Sequence, residues 1–266
     1  MTGLDDAALL AVVAIGSALG ASALPRASWP RRSPAAAILL WQALGLASGL
    51  AAVGTLIGLA GAVYGVGPTS ILPVAALQAR RRQRALLTLL AHGDPKVPGA
   101  LVVDYPSAAA YCLPGLRSGS RIVVSVGTLE LLGRGELAAV LAHERAHLRE
   151  RHHLVLLPFT ALRRAFPRSA TCSGAHRAVA LLVEMLADDR ALRGRPAREL
   201  VTALVRFGTA GTCPAPAGAL AAGEGEVAAR VTRLLQPVRP LPTVAVLAIC
   251  LAAALLVAAP IALLIV

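Results

Sequence analysis

Lysine is all but missing from this chain: Lys96 is the only one, and the formal net charge of +12 rests on arginine. Aromatic residues make up only 3 %. No basic stretch is interleaved with rings on which bases stack, so direct nucleic-acid binding is not expected despite the charge. Cysteine occurs at Cys112, Cys172, Cys213 and Cys250, never as a C-x-x-C pair. That spacing does not read as a disulfide framework, and the thiols are expected to be reduced and buried. Charged residues of both signs total 15 %, against about 25 % in an ordinary soluble domain.

Hydrophobic residues, mostly Ala, Leu and Val, supply 56 % of the 266 positions. Three regions reach the length of about 20 apolar residues that a bilayer span requires. The first runs from about 7 to 24; Asp5 and Asp6 stand where a secretory signal would carry basic residues, so it reads as a retained helix. The last, 241–266, is apolar to its end. The middle region, 35–77, carries no charge and is long enough for two crossings. Arginines flank it on both sides (Arg26, Arg31 and Arg32 before; Arg80, Arg81, Arg82 and Arg84 after), and Arg230, Arg233 and Arg239 precede the last region. Basic flanks face the cytoplasm, so an even number of crossings is expected in 35–77: a hairpin with its turn between Gly49 and Gly58. One long tilted helix is the alternative, and it would put the following domain outside.

Between these regions lies a domain at about 78–207. The stretches LVVDYP (101–106) and RIVVSV (121–126) read as short strands. TLELLGRGELAAVLAHERAHL then reads as a short helix, a glycine break and a second helix with Leu137, Val140, Leu141 and Leu148 on one face. Residues 176–192 form another helical pattern. A Gly/Pro/Ala-rich linker covers 208–226, and 208–240 as a whole reads as linker plus a short amphipathic segment. HHLVLLPFTALRRAF (152–166) is too short to span and is interrupted by Pro158; it lies on the membrane surface or forms a buried helix.

The chemistry concentrates in HERAH, 143–147. Four residues is one helical turn, so His143 and His147 share a face and can reach one zinc ion. Glu144 then points at a water on the metal rather than at the metal. The plainer reading is a polar helix face with solvated imidazoles. A catalytic zinc needs a third protein ligand. EMLADD (184–189) offers Glu184 for that place and Asp188, one turn on, to accept the outer N–H of a ligand histidine and hold its tautomer. Asp189 points about 100° away, toward solvent or an arginine. The competing reading is a helix salt-bridged to Arg190 and Arg193. His152, His153 and His176 are expected at surfaces or interfaces, and His92 in a loop.

At this point the chain resembles the BlaR/MecR-type membrane metallopeptidases, in their short actinobacterial form. The likeness rests on LLWQALGL (39–46), AAYCLPG (109–115), RIVVSVGTLELL (121–132), ELAAVLAHERAHLRERHH (136–153) and VEMLADDRAL (183–192), in that order. It implies a gluzincin-type zinc endopeptidase with His143, His147 and Glu184 as ligands, Glu144 as base and Asp188 behind the ligands. The expected fold is a mainly α membrane protein: about four transmembrane helices, with an α+β zincin-like metallopeptidase domain inserted before the last. The expected setting is the cell membrane with the protease domain cytoplasmic, zinc as cofactor, the bilayer as one partner and a protein substrate, such as a transcriptional repressor, as another. The antibiotic sensors of that group carry an extracellular penicillin-binding domain beyond the last span; this sequence has none, so β-lactam sensing through one is not expected. An HtpX-type quality-control protease shares the same motifs and is the second enzyme reading; a non-catalytic membrane signalling scaffold is the third. The strand near RIVVSV is expected to offer an edge to an extended substrate.

Overall fold

In chain order the elements are α1 (Gly3–Ala23), α2 (Pro34–Tyr64), β1 (Ala91–Gly93), β2 (Ala100–Val103), β3 (Ala110–Leu113), β4 (Arg121–Ser125), α3 (Val126–Leu131), α4 (Arg134–Arg149), α5 (His152–Ala165), α6 (Ala170–Ala191), α7 (Ala197–Thr209), α8 (Glu224–Leu235) and α9 (Thr243–Ile265). The computed structural model describes residues 3–64, 91–93, 97, 99–113, 121–210, 224–236 and 239–265. The chain divides into two units: Met1–Ile71 with Val155–Val183 and Arg239–Val266, and Leu72–Leu154 with Glu184–Val238.

The first unit holds three helices long and apolar enough to cross a membrane, within Asp6–Arg26, Pro34–Leu56 and Thr243–Ile265. The expected turn between Gly49 and Gly58 is not there: α2 runs unbroken for 31 residues, about 46 Å at 1.5 Å per residue. Gly54 serves packing instead. A Cβ on Gly54 would stand 2.7 Å from Leu264 Cδ2 and 2.8 Å from Leu10 Cδ1, so the missing side chain lets α1, α2 and α9 meet. The remainder of the expected hairpin, after Tyr64, lies outside the described residues, and three spans rather than four are found among the described ones.

Residues of α5 also join this unit. Trp41, 2 % exposed, meets Phe159 edge-to-face with ring centroids 6.1 Å apart, and Gln42 Nε2 donates to the Val155 carbonyl at 2.7 Å. Pro158 does not interrupt the helix as expected; it sits exposed within it. Leu156 and Phe159 are buried, while Leu154, Leu157 and Leu162 remain exposed. Arg32 Nε donates to the Arg239 carbonyl at 3.0 Å, which brings the start of α2 to the start of α9.

The second unit is built on a four-stranded sheet of order β1-β2-β4-β3. β2 and β4 run parallel, and the two outer strands pair antiparallel to them. Both expected strands are present, but two corrections follow. His92 lies in β1, not in a loop. The RIVVSV strand, β4, is interior, because its two sides are taken by β2 and β3; among the described residues the edge next to it is β3. Val102, Ile122 and Val124 pack with Leu141 of α4, the apolar face anticipated for that helix.

The joint between β4 and α4 is set by side chains. Ser125 Oγ accepts the Thr128 N–H at 3.1 Å and caps α3. At the glycine break, the Glu136 carboxylate accepts the Gly133 N–H at 2.9 Å and starts α4. Arg206 of α7 donates to the same carboxylate at 2.7 Å. Leu200 and Ala203 of α7 pack against Ala139 and Val140 of α4. Residues 211–223 of the expected linker lie outside the described part, and α8 begins at Glu224.

Candidate metal centre

Helix α4 is rich in strong helix formers (Glu136, Leu137, Ala138, Ala139, Leu141, Ala142) and carries no glycine or proline after Gly135. It therefore continues through HERAH and stacks the two imidazoles. His143 Nε2 lies 3.0 Å from His147 Nε2. Glu184 of α6 closes the triangle, with Oε2 at 3.2 Å from His143 Nε2 and Oε1 at 3.3 Å from His147 Nε2. All three residues are buried, and they are the one group of this kind among the described residues.

Those separations test whether a metal fits. Donors bound at about 2.0–2.1 Å to a tetrahedral zinc stand about 3.3 Å apart. The imidazole nitrogens, 3.0 Å apart, and the two Glu184 oxygens, one 3.2 Å from His143 and the other 3.3 Å from His147, stand near that spacing, and two imidazoles with one carboxylate are a donor set that zinc accepts.

Asp188, one turn after Glu184, places Oδ1 2.9 Å from His143 Nδ1. Glu184 and Asp188 are two buried carboxylates, and burying them needs compensation. It comes from a residue that local spacing does not reveal. Arg230 of α8, 4 % exposed, donates to Asp188 through Nε at 2.8 Å and Nη2 at 2.6 Å, and its Nη1 lies 2.9 Å from Glu184 Oε2. Arg233, one turn on, donates to both oxygens of Asp189 at 2.7 and 2.9 Å. Arg230 and Arg233 therefore belong to the site's acids and not to the basic flank of the last span. The acids do not pair with Arg190 and Arg193 as the competing reading had it; Arg190 instead binds Glu150.

The charges support one another. Burial disfavours the charged form of His143, but hydrogen bonds to Asp188 and Glu184 outweigh it and raise its pKa to about 10. Burial also opposes ionisation of Glu184, yet His147 and Arg230 hold its carboxyl well below the usual range. Asp188 is lowered too, against burial, by its bond to His143 and by Arg230.

His152 is not a surface histidine. It is 2 % exposed, and its Nδ1 lies 3.0 Å from His147 Nδ1. Burial and the neighbouring His147 push its pKa down to about 4. Glu144 follows His143 on α4 and is partly buried. Cys112 stands on β3; burial, then the charges of Glu144 and Glu184, push its thiol up to about 12. β3 lies against α4, with Ala110 packed on the cluster that holds Val140.

The sequence positions singled out in advance, His143, His147, Glu184 and Asp188, are brought together, with Glu144 adjacent. Arg230, His152, Glu150 and Cys112 complete the surroundings. No curated protein and no solved structure matches the chain. The likeness to BlaR/MecR-type enzymes rests on the short motifs alone. Residues 76–185, which carry His143, Glu144, His147 and Glu184 but stop short of Asp188 and Arg230, match the family model for Peptidase family M48, a family of zincin-like metallopeptidases.

Proposed function

We propose that the protein is an integral membrane zinc endopeptidase, and that it performs regulatory proteolysis of a cytoplasmic or membrane-near protein such as a transcriptional repressor. The observation that carries the enzymatic part is the buried triangle of His143, His147 and Glu184 with Glu144 beside it. A zinc ion held there by His143, His147 and Glu184 would supply Lewis acidity toward the scissile carbonyl and the attacking water. Glu144 takes the proton from the attacking water and returns it to the leaving amine. Asp188 keeps His143 in the tautomer that presents Nε2 to the metal, and Arg230 keeps Asp188 and Glu184 ionised. An extended substrate pairs along β3, which packs against α4, the helix that carries Glu144.

The M48 match and the three apolar helices support a membrane-associated metalloprotease. The cytoplasmic setting is supported by the arginines at the span ends, since Arg26, Arg31 and Arg32 precede α2, Arg239 precedes α9 and Arg32 touches Arg239; with α2 a single unbroken helix, it requires the chain to cross back after Tyr64, outside the described residues. The regulatory role is supported by the resemblance to BlaR/MecR-type enzymes and by nothing else.

The test compares cells carrying the wild type or Glu144→Gln and maps new protein termini. One cut cytoplasmic protein, present only with the wild type, supports the proposal. Many cut membrane proteins point to quality control instead. Identical termini in both strains remove the enzymatic reading.

A further inference from the structure

We propose that His152 is a positioning residue for the metal centre: it fixes the tautomer and ring orientation of His147, and is itself fixed by Glu150 and Arg190. The inference rests on the reading that His147 ligates a metal.

The argument starts from one proton. His147 Nδ1 and His152 Nδ1 stand 3.0 Å apart, with the rings perpendicular and their centroids 4.8 Å apart. Two ring nitrogens at that distance share one proton, so one donates and the other accepts. The partners at either end decide which. On one side, His147 Nε2 faces His143 Nε2 and Glu184, where a ligand offers a lone pair. A neutral His147 with a free Nε2 carries its proton on Nδ1 and must donate it. On the other side, His152 Nε2 faces Glu150 Oε2 at 3.4 Å, and a carboxylate accepts only. A neutral His152 with its proton on Nε2 leaves Nδ1 free to accept. Both ends select the same polarity: His147 Nδ1–H donates to His152 Nδ1, and His152 Nε2–H points at Glu150. The reverse polarity puts the proton of His147 on Nε2, where it blocks the metal, and turns a His152 lone pair toward a carboxylate.

The chain is bent to make this contact. Between α4 and α5, Arg151 adopts φ of +51°, the left-handed region that favours glycine. Its N–H donates to the Leu148 carbonyl at 3.3 Å, and its carbonyl accepts from Leu154 at 2.8 Å. This reversal folds His152 back onto His147, five residues earlier. Glu150, just before the bend, is gripped by Arg190 of α6. The two ligand histidines are thus held by separate chains, His143 by Asp188 and Arg230, and His147 by His152, Glu150 and Arg190.

The test uses the full-length protein in detergent and measures zinc affinity by competition with a chromogenic chelator. The variants are His152→Leu, His152→Asn, His147→Ala and the wild type, with thermal melts of the metal-free forms to confirm folding. Leucine fills the space without an acceptor. Asparagine places its amide oxygen near the position of Nδ1 and keeps the acceptor. The expected result is affinity weakened about 10- to 100-fold in His152→Leu and largely restored in His152→Asn. Equal losses in both, or none in either, overturn the role of His152 while the wild type still binds zinc. A wild type that binds no zinc overturns the metal reading itself. If His152→Leu does not fold, the nitrogen-15 shifts of the zinc-loaded wild type decide: a proton on His147 Nδ1 and on His152 Nε2 supports the proposal, and any other arrangement overturns it.

Discussion

Arg230 grips both oxygens of Asp188, at 2.8 and 2.6 Å, from a helix that begins 40 residues after Glu184 and thereby closes the site from the far end of the domain. Without it, the two buried carboxylates are left with His143 and His147 as counter-charges. Breaking a buried pair of this kind costs about 3–5 kcal/mol. Arg230→Gln is expected to lower the melting temperature strongly in the metal-free protein and less in the zinc-loaded one, because the ion supplies part of the missing positive charge. Melts with and without zinc check this; equal losses in the two states contradict it.

Glu144 is not a member of the ligand triangle. Glu144→Gln is expected to retain zinc at wild-type stoichiometry while peptide cleavage falls by about 10²- to 10⁴-fold, the scale of a lost general base. Metal analysis and a peptide-cleavage assay on the same preparation read both.

The pH dependence of the metal-free protein follows from His143. Its proton is held more tightly in the folded state (about 10) than at its ordinary value of 6.5. That contribution to stability is complete below pH 6.5 and disappears as pH rises toward 10. Melting temperatures of the metal-free protein are therefore expected to fall between pH 7 and 10. Zinc displaces the same proton, so titration calorimetry near pH 8, in buffers of different ionisation enthalpy, is expected to show proton release.

Much of the centre was legible in the sequence because its parts are local. His143 and His147 are one turn apart, as are Glu184 and Asp188, and a helical period places each pair on one face. What was not legible depends on distant contacts. Arg230 stands in a basic stretch near an apolar span, and its chain neighbours look like a membrane flank; its pairing with Asp188 spans 42 positions. His152 opens a leucine-rich stretch, and the bend at Arg151 that buries it leaves no mark in composition. The glycines of α2 fit a turn as well as a close helix contact, and Leu10 and Leu264, which decide for contact at Gly54, are far away in sequence. β1 and β3 have three and four residues, too few for alternation to register, so the order that makes β3 the edge was hidden.

Gly127 offers a test of the frame rather than the site. A Cβ there would meet the Pro106 carbonyl oxygen at 2.0 Å and its carbon at 2.7 Å, both backbone atoms that cannot turn aside. Gly127→Ala is expected to destabilise the domain by about 1–3 kcal/mol or more, the cost of overpacking. An unchanged denaturation midpoint contradicts the close approach of α3 to the Pro106 turn.

The most direct test of the central claim is zinc-edge X-ray absorption on the purified full-length protein, with metal stoichiometry for the wild type and Glu184→Gln. One zinc per chain is predicted, bound by two imidazole nitrogens and a carboxylate oxygen at about 2.0–2.2 Å, with the carboxylate contribution lost in the variant. A wild type without stoichiometric zinc, or a ligand shell that Glu184→Gln leaves unchanged, contradicts it.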